Sequence, residues 1–170
     1  MCPKTLKNTS YDDASGVTKS QDQECKAAYA VNECGKGCAQ ITPVACLTCE
    51  LSNMDCAPLT DCSFVTGNAQ GGPAGGVPRA QLCRETVECI RRTGCGKTAP
   101  QDSCYCGTAS QAECYNGGAK GACKAEIEAG LETEVPAEIA SRFGEVTFAA
   151  ALALERMRCD RDLCLTSCFP

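Results

Sequence analysis

Apolar residues recur at helical spacing through the second half of the chain. From about Pro78 to Arg92, Cys83, Val87 and Ile90 follow one another at spacings of four and three, which predicts an amphipathic helix with its cysteine on the buried side. Cys123, Ile127 and Leu131 stay in phase from about Lys120 to Glu132 and predict a second helix. A short third helix is expected to open at Pro136, because proline at the first helical position gives up no intrahelical hydrogen bond, and to end at Phe143 before Gly144. A fourth, Glu145 to Arg158, carries Val146, Phe148, Ala149, Leu152, Leu154 and Met157 on its apolar side. Glu145 opens it and Arg156 and Arg158 close it, in the sense the helix dipole favours. The stretch from Asn32 to Cys62 has no clear period, so its cysteines are expected to fix much of it. The fold class read from this pattern is mainly α, a small disulfide-rich helical protein.

Two series of cysteines run along the chain: Cys25, Cys34, Cys38, Cys46, Cys49, Cys56 and Cys62, then Cys83, Cys89, Cys95, Cys104, Cys106, Cys114 and Cys123. Their loose match in spacing predicts two related cysteine-rich helical modules. Between them Gly67 to Gly76 is rich in glycine and holds Pro73, which disfavours regular structure and marks a linker or exposed loop. The expected organisation is an N-terminal extension over 1–24, a first module over 25–66, a linker or loop over 67–77, and a second module with a C-terminal helix over 78–170.

Composition changes the picture from an ordinary helical domain to a stapled one. The chain has 18 cysteines in 170 residues, above the level at which a short chain is read as a disulfide scaffold. Cytosolic thiols are kept reduced, so this content points to export into an oxidising compartment, the extracellular space or the cell surface. Complete pairing would use Cys2, Cys159, Cys164 and Cys168 in addition to the two series. With four Phe, four Tyr and no Trp, cysteine takes the place of aromatic residues in the core. Each native bridge of a small secreted domain contributes roughly 2–5 kcal/mol, which offsets a thin core.

Net charge is −5, which favours solubility and lacks the basic face a nucleic-acid groove needs. The longest apolar run, Phe148 to Leu154, is seven residues, so no transmembrane segment is expected where roughly 20 are needed. The N-terminus, Met1-Cys2-Pro3-Lys4-Thr5-Leu6-Lys7, lacks the apolar stretch of a signal peptide, and a mature or recombinant chain is expected, with Met1 either an added initiator or a residue near a cleavage point. Cys2 is a candidate lipid anchor, although lipidation there would leave an odd number of cysteines to pair.

Candidate chemistry is mostly excluded. There is no histidine, which removes Ser-His-Asp and Cys-His nucleophile systems, histidine metal ligands and haem attachment through Cys-x-x-Cys-His. Cys46-Leu47-Thr48-Cys49 has redox spacing but lacks a strand-helix context, and structural bridging is the better reading. Cys34-x3-Cys38, Cys46-x2-Cys49 and Cys104-Tyr105-Cys106 resemble metal spacings without forming paired knuckles. Cys104 and Cys106, one residue apart, are expected to bridge to two different elements. Gly94-Cys95-Gly96-Lys97-Thr98 ends like a phosphate loop, but Arg91 stands where the pattern needs glycine, so a turn is expected.

Glu126 with Glu128 and Glu132 with Glu134 are read as solvated helix faces. Arg91-Arg92 and the set Arg156, Arg158 and Arg161 could bind an anionic partner, but the alternating Glu155, Asp160 and Asp162 favour local charge pairing. Asn8-Thr9-Ser10 is a glycosylation sequon. No catalytic residue, no cofactor and no metal site are expected.

From Cys83 through Cys89-Ile90-Arg91-Arg92-Thr93-Gly94-Cys95, Cys104-Tyr105-Cys106-Gly107-Thr108 and Gly121 to Glu128, and on to Cys159, Cys164 and Cys168, the chain resembles uncharacterised cysteine-rich exported proteins of myxobacteria. The resemblance covers roughly residues 46 to 168 and implies export and a bacterial surface, with no activity to carry over. The expected function is a non-enzymatic structural or interaction protein, such as a self-assembling subunit, with a homo-oligomer or another protein as partner. A second class is a protein-binding module, an inhibitor, toxin or accessory subunit, using the Gly67 to Gly76 loop. A third is a thiol-based redox or metal-binding protein, which would require reduced cysteines.

Overall fold

The computed structural model describes residues 44–97, 100 and 102–169, together with the backbone of residues 10–12 and 18–20. It is mainly helical. In the N-terminal part, β1 (Ser10–Asp12) and β2 (Thr18–Ser20) pair antiparallel, with Tyr11 opposite Lys19. The helices are α1 (Val44–Ser52), α2 (Arg79–Thr93), α3 (Ser103–Cys106), α4 (Gln111–Glu113), α5 (Lys124–Gly130), α6 (Pro136–Arg142), α7 (Ala149–Leu163) and α8 (Leu165–Cys168).

The frame is α2 against α7, with α5 packed on both. Helix α2 follows the predicted period: Leu82, Cys83, Thr86, Val87, Cys89 and Ile90 are buried. It stops where Gly94 takes φ 65°, a left-handed conformation that glycine adopts without steric cost, and its N–H donates to the Ile90 carbonyl. Small residues let α7 come close. Ala149, Ala150, Ala151 and Ala153 are all buried, and a Cβ on Gly130 of α5 would lie 2.7 Å from the Ala150 Cβ. Tyr105, Tyr115 and Phe143 form an aromatic cluster, with centroids 5.9–6.3 Å apart, that closes the other side of the core.

Two helix boundaries differ from the sequence expectation. Residues 120–123 do not join α5, because their amides are taken by the α3 turn. Gly121 N–H donates to Tyr105 O at 2.7 Å and Cys123 N–H to Cys104 O at 3.0 Å. Helix α7 begins at Ala149 and runs past Arg158 to Leu163, so Val146 lies outside it and is 48% exposed. The aperiodic stretch before Cys62 holds α1 and two single turns, Ala57–Leu59 and Cys62–Phe64.

The fourteen described cysteines form seven disulfides: Cys46–Cys168, Cys49–Cys164, Cys56–Cys159, Cys62–Cys83, Cys89–Cys123, Cys95–Cys104 and Cys106–Cys114. Cys2, Cys25, Cys34 and Cys38 lie outside the described residues, as do Asn8 and the 1–24 extension apart from its two strands. Each described cysteine of the 25–66 stretch is bonded to one in 78–170. The two matched cysteine series are bonded differently: Cys106 joins Cys114, while Cys49 and Cys56, their counterparts in spacing, reach Cys164 and Cys159. The 67–77 stretch is a docked loop. Ala69 N–H donates to Val77 O at 2.8 Å, and Gly72, at φ 66°, lies against the Glu132 backbone, where a Cβ would collide.

Candidate functional site

Three of the seven bridges form a nested ladder. Cys46 and Cys49 on α1, and Cys56 just after it, join in reverse order to Cys168 on α8, Cys164 between α7 and α8, and Cys159 on α7. The ladder holds α1 against the C-terminal helices with Cys46, Cys49 and Glu50 on its inward side, the i, i+3, i+4 pattern of one helical face. Cys46 and Cys49 are therefore bonded to two different partners and not to each other. Cys104 and Cys106 likewise reach two elements, the loop after α2 and the end of α4.

Beside the ladder the fold buries four charges. Glu50 is fully buried, and Arg156 and Asp160 of α7 are 6% and 1% exposed. Glu50 Oε1 accepts from Arg156 Nε at 2.6 Å and from Arg91 Nη2 at 2.9 Å, and Glu50 Oε2 accepts from Arg156 Nη2 at 2.9 Å. The Arg156–Glu50 contact is thus bidentate, the strong form of a charge-assisted pair. Arg91 Nε and Nη2 also donate to Asp160 Oδ2, at 3.2 and 2.7 Å, and Arg156 Nη1 donates to the Thr60 carbonyl at 2.8 Å.

Two guanidiniums face two carboxylates, and their environments push the two acids apart. Burial alone would raise the Glu50 carboxyl, but the hydrogen bonds and charge of Arg156, with Arg91 behind, outweigh it and hold Glu50 below the ordinary range. Asp160 goes the other way. Burial, with the adjacent Glu50, pushes it up to about 7 against the pull of Arg91. Its Oδ1 is buried with no hydrogen-bond partner.

Two sequence expectations are corrected by these contacts. Arg91 and Arg156 are not surface charges with local partners, because each reaches across the core to Glu50, Arg156 over 106 residues of sequence. Arg158 and Arg161 do pair locally, with Glu155 and Asp162. Glu128 and Glu132 are not solvated. Glu128 is 5% exposed and accepts from Tyr105 Oη at 3.3 Å and Lys124 Nζ at 2.7 Å. Glu132 accepts from Arg79 Nε at 2.5 Å and from the Gln70 N–H at 2.7 Å, which fixes the 67–77 loop.

The Gly94–Lys97 stretch is a turn, with Lys97 N–H donating to Gly94 O at 3.0 Å, and it is committed to packing, since a Cβ on Gly96 would overlap Met157. Glu50 was the residue that periodicity did not reveal. Its one sequence signal is its place beside Cys49 at helical spacing from Cys46.

The sulfurs of Cys46 and Cys168 and a carboxylate oxygen each of Glu50 and Asp160 lie within 4.8 Å of one another. The sulfurs are spent in their disulfide and the carboxylates are matched by arginines, so the chemistry of this donor set does not suit a metal. A shallow surface groove of about 640 Å³ runs past Thr108, Ala112, Asn116 and Lys120. Its carboxylate, Glu113, is committed to a reciprocal cap with Ser110. Among the described residues no helix is long and apolar enough to cross a membrane. The chain matches no protein-family model, and no curated protein or solved structure matches it.

Proposed function

We propose that this chain is an exported, disulfide-stapled structural or interaction protein of the extracellular space or cell surface, without catalytic activity. The observation that carries the reading is the bonding of all fourteen described cysteines to one another, with three bridges tying α1 to the C-terminal helices. Such a framework persists only where thiols are oxidised, and it restrains local opening, which is what protease attack requires. The charges that could have formed a reactive site are instead matched inside the fold, as with Glu50 and Arg156.

The alternative is a module that binds another protein. The docking of the 67–77 loop on Glu132 and Arg79 favours it, because a loop held in one conformation spends less entropy on association.

The first test is the intact mass of native protein alkylated under denaturing conditions without reductant, beside a fully reduced control. The expected result is no alkylation and a mass lower by about two units per bridge. Reactive thiols at Cys46, Cys49, Cys164 or Cys168 would overturn the stapled reading and favour thiol chemistry. Sedimentation over a wide concentration range then separates the two classes: self-association supports a structural subunit, and a persistent monomer supports a binding module.

A further inference from the structure

The buried charges beside the disulfide ladder are arranged around one oxygen with nothing to accept from. Asp160 Oδ2 accepts from Arg91 Nε and Nη2, while Oδ1 is enclosed in a residue 1% exposed and has no partner. A carboxylate oxygen of Glu50 lies within 4.8 Å of one of Asp160. From α1 Glu50 faces Asp160, from α2 Arg91, and along α7 itself Arg156, which is bound to Glu50. The described part of α8 brings Cys168, which is bonded and does not titrate.

In this setting an unprotonated pair leaves two carboxylates repelling each other in a water-poor site and one oxygen orphaned. A single proton removes both costs, because an Asp160 hydroxyl can donate to Glu50 while Arg91 keeps Oδ2.

We infer that Glu50 and Asp160 form a proton-binding site that makes the seating of α1 on α2 and α7 respond to acidification, tightest in mildly acidic solution and looser toward neutrality. Glu50 is the lower of the two acids because Arg156 grips both its oxygens, so the proton resides on Asp160. The rise of Asp160 from an ordinary 3.8 to about 7 agrees with this geometry. The direction follows by linkage. The closed state binds the proton more tightly than an opened one, so protection of α1 falls as pH rises from about 3.8 to about 7 and is level above it. The slope is at most about tenfold per pH unit.

The experiment uses the full oxidised chain with ¹³C-labelled aspartate and glutamate side chains, titrated by NMR, with amide hydrogen exchange of α1 measured alongside and corrected for the intrinsic pH dependence. One aspartate carboxyl, absent in Asp160→Asn, should titrate near neutrality, and the Glu50 carboxyl should move in the same step. Exchange protection at Glu50 and Leu51 should fall between pH 4 and 7 in the wild type and be flat in Asp160→Asn. If every aspartate carboxyl titrates below pH 5, or Asp160 titrates while Glu50 does not follow, the shared site is wrong. If protection of α1 is indifferent to pH in the wild type, the coupling to α1 is wrong. Both readouts on the wild type stand even if Asp160→Asn fails to fold.

Discussion

Glu50→Gln is the sharpest perturbation the structure offers, because it removes one charge and almost no volume. Glu50 accepts three guanidinium hydrogen bonds, two from Arg156 and one from Arg91, in a site with no water-exposed surface on the acid itself. The amide can accept at one oxygen only, so at least one Arg156 donor loses its acceptor, while Arg91 keeps Asp160. Breaking a buried ion pair at one end costs about 3–5 kcal/mol, since the remaining charge stays desolvated.

That is a large part of a total stability of about 5–15 kcal/mol. The assay is guanidinium denaturation at pH 8 with all bridges intact, comparing midpoints at constant slope. Glu50→Gln with Arg156→Met removes the cation that faced Glu50 as well and should recover most of the loss. A loss below about 1 kcal/mol for the single variant, the level of an exposed pair, would show that water reaches the site and would refute the reasoning.

Gly96→Ala should destabilise by about 1–3 kcal/mol, because the new methyl overlaps Met157, which is itself 2% exposed. The cost should shrink in a Met157→Ala background, and strict additivity in thermal melts would argue against the contact. Removing Cys56–Cys159 as a serine pair should cost about 3 kcal/mol and not the roughly 4.7 of a free 100-residue loop. Its partners are 103 residues apart, but Cys49–Cys164 already joins the two segments a few residues away, so the ring that reopens is short; denaturation of the oxidised variant checks this.

Burial pushes Glu88 up to about 7 despite Arg92, with Glu85 and Glu126 adding to the rise. Its proton is held in the folded state, so its contribution is present below about 4.5 and is lost as pH rises through about 7. Glu88→Gln should therefore stabilise the chain at pH 8 relative to wild type and give no such gain at pH 4, read from paired denaturation curves.

The amino-acid sequence by itself determined the local features. The period of Cys83, Val87 and Ile90 and the glycine at 94 are enough to set α2, because helix amphipathicity and a left-handed cap depend on neighbours within a turn or two. Pro136 marks the start of α6 for the same kind of reason. The cysteine content determined that the chain is stapled, and the one-residue gap between Cys104 and Cys106 determined that they bond elsewhere.

Which cysteines pair, where α5 begins, and which acids are buried were decided by the tertiary structure alone. Glu132 reads as one more acid in a charged stretch until the 67–77 loop and Arg79 arrive from more than fifty residues away. Glu50 and Arg156 are 106 residues apart, and nothing in either neighbourhood encodes the other. Helical period is a property of consecutive residues, whereas a disulfide or a buried ion pair exists only once packing has brought two remote segments within a few ångströms and excluded the water that would otherwise solvate them.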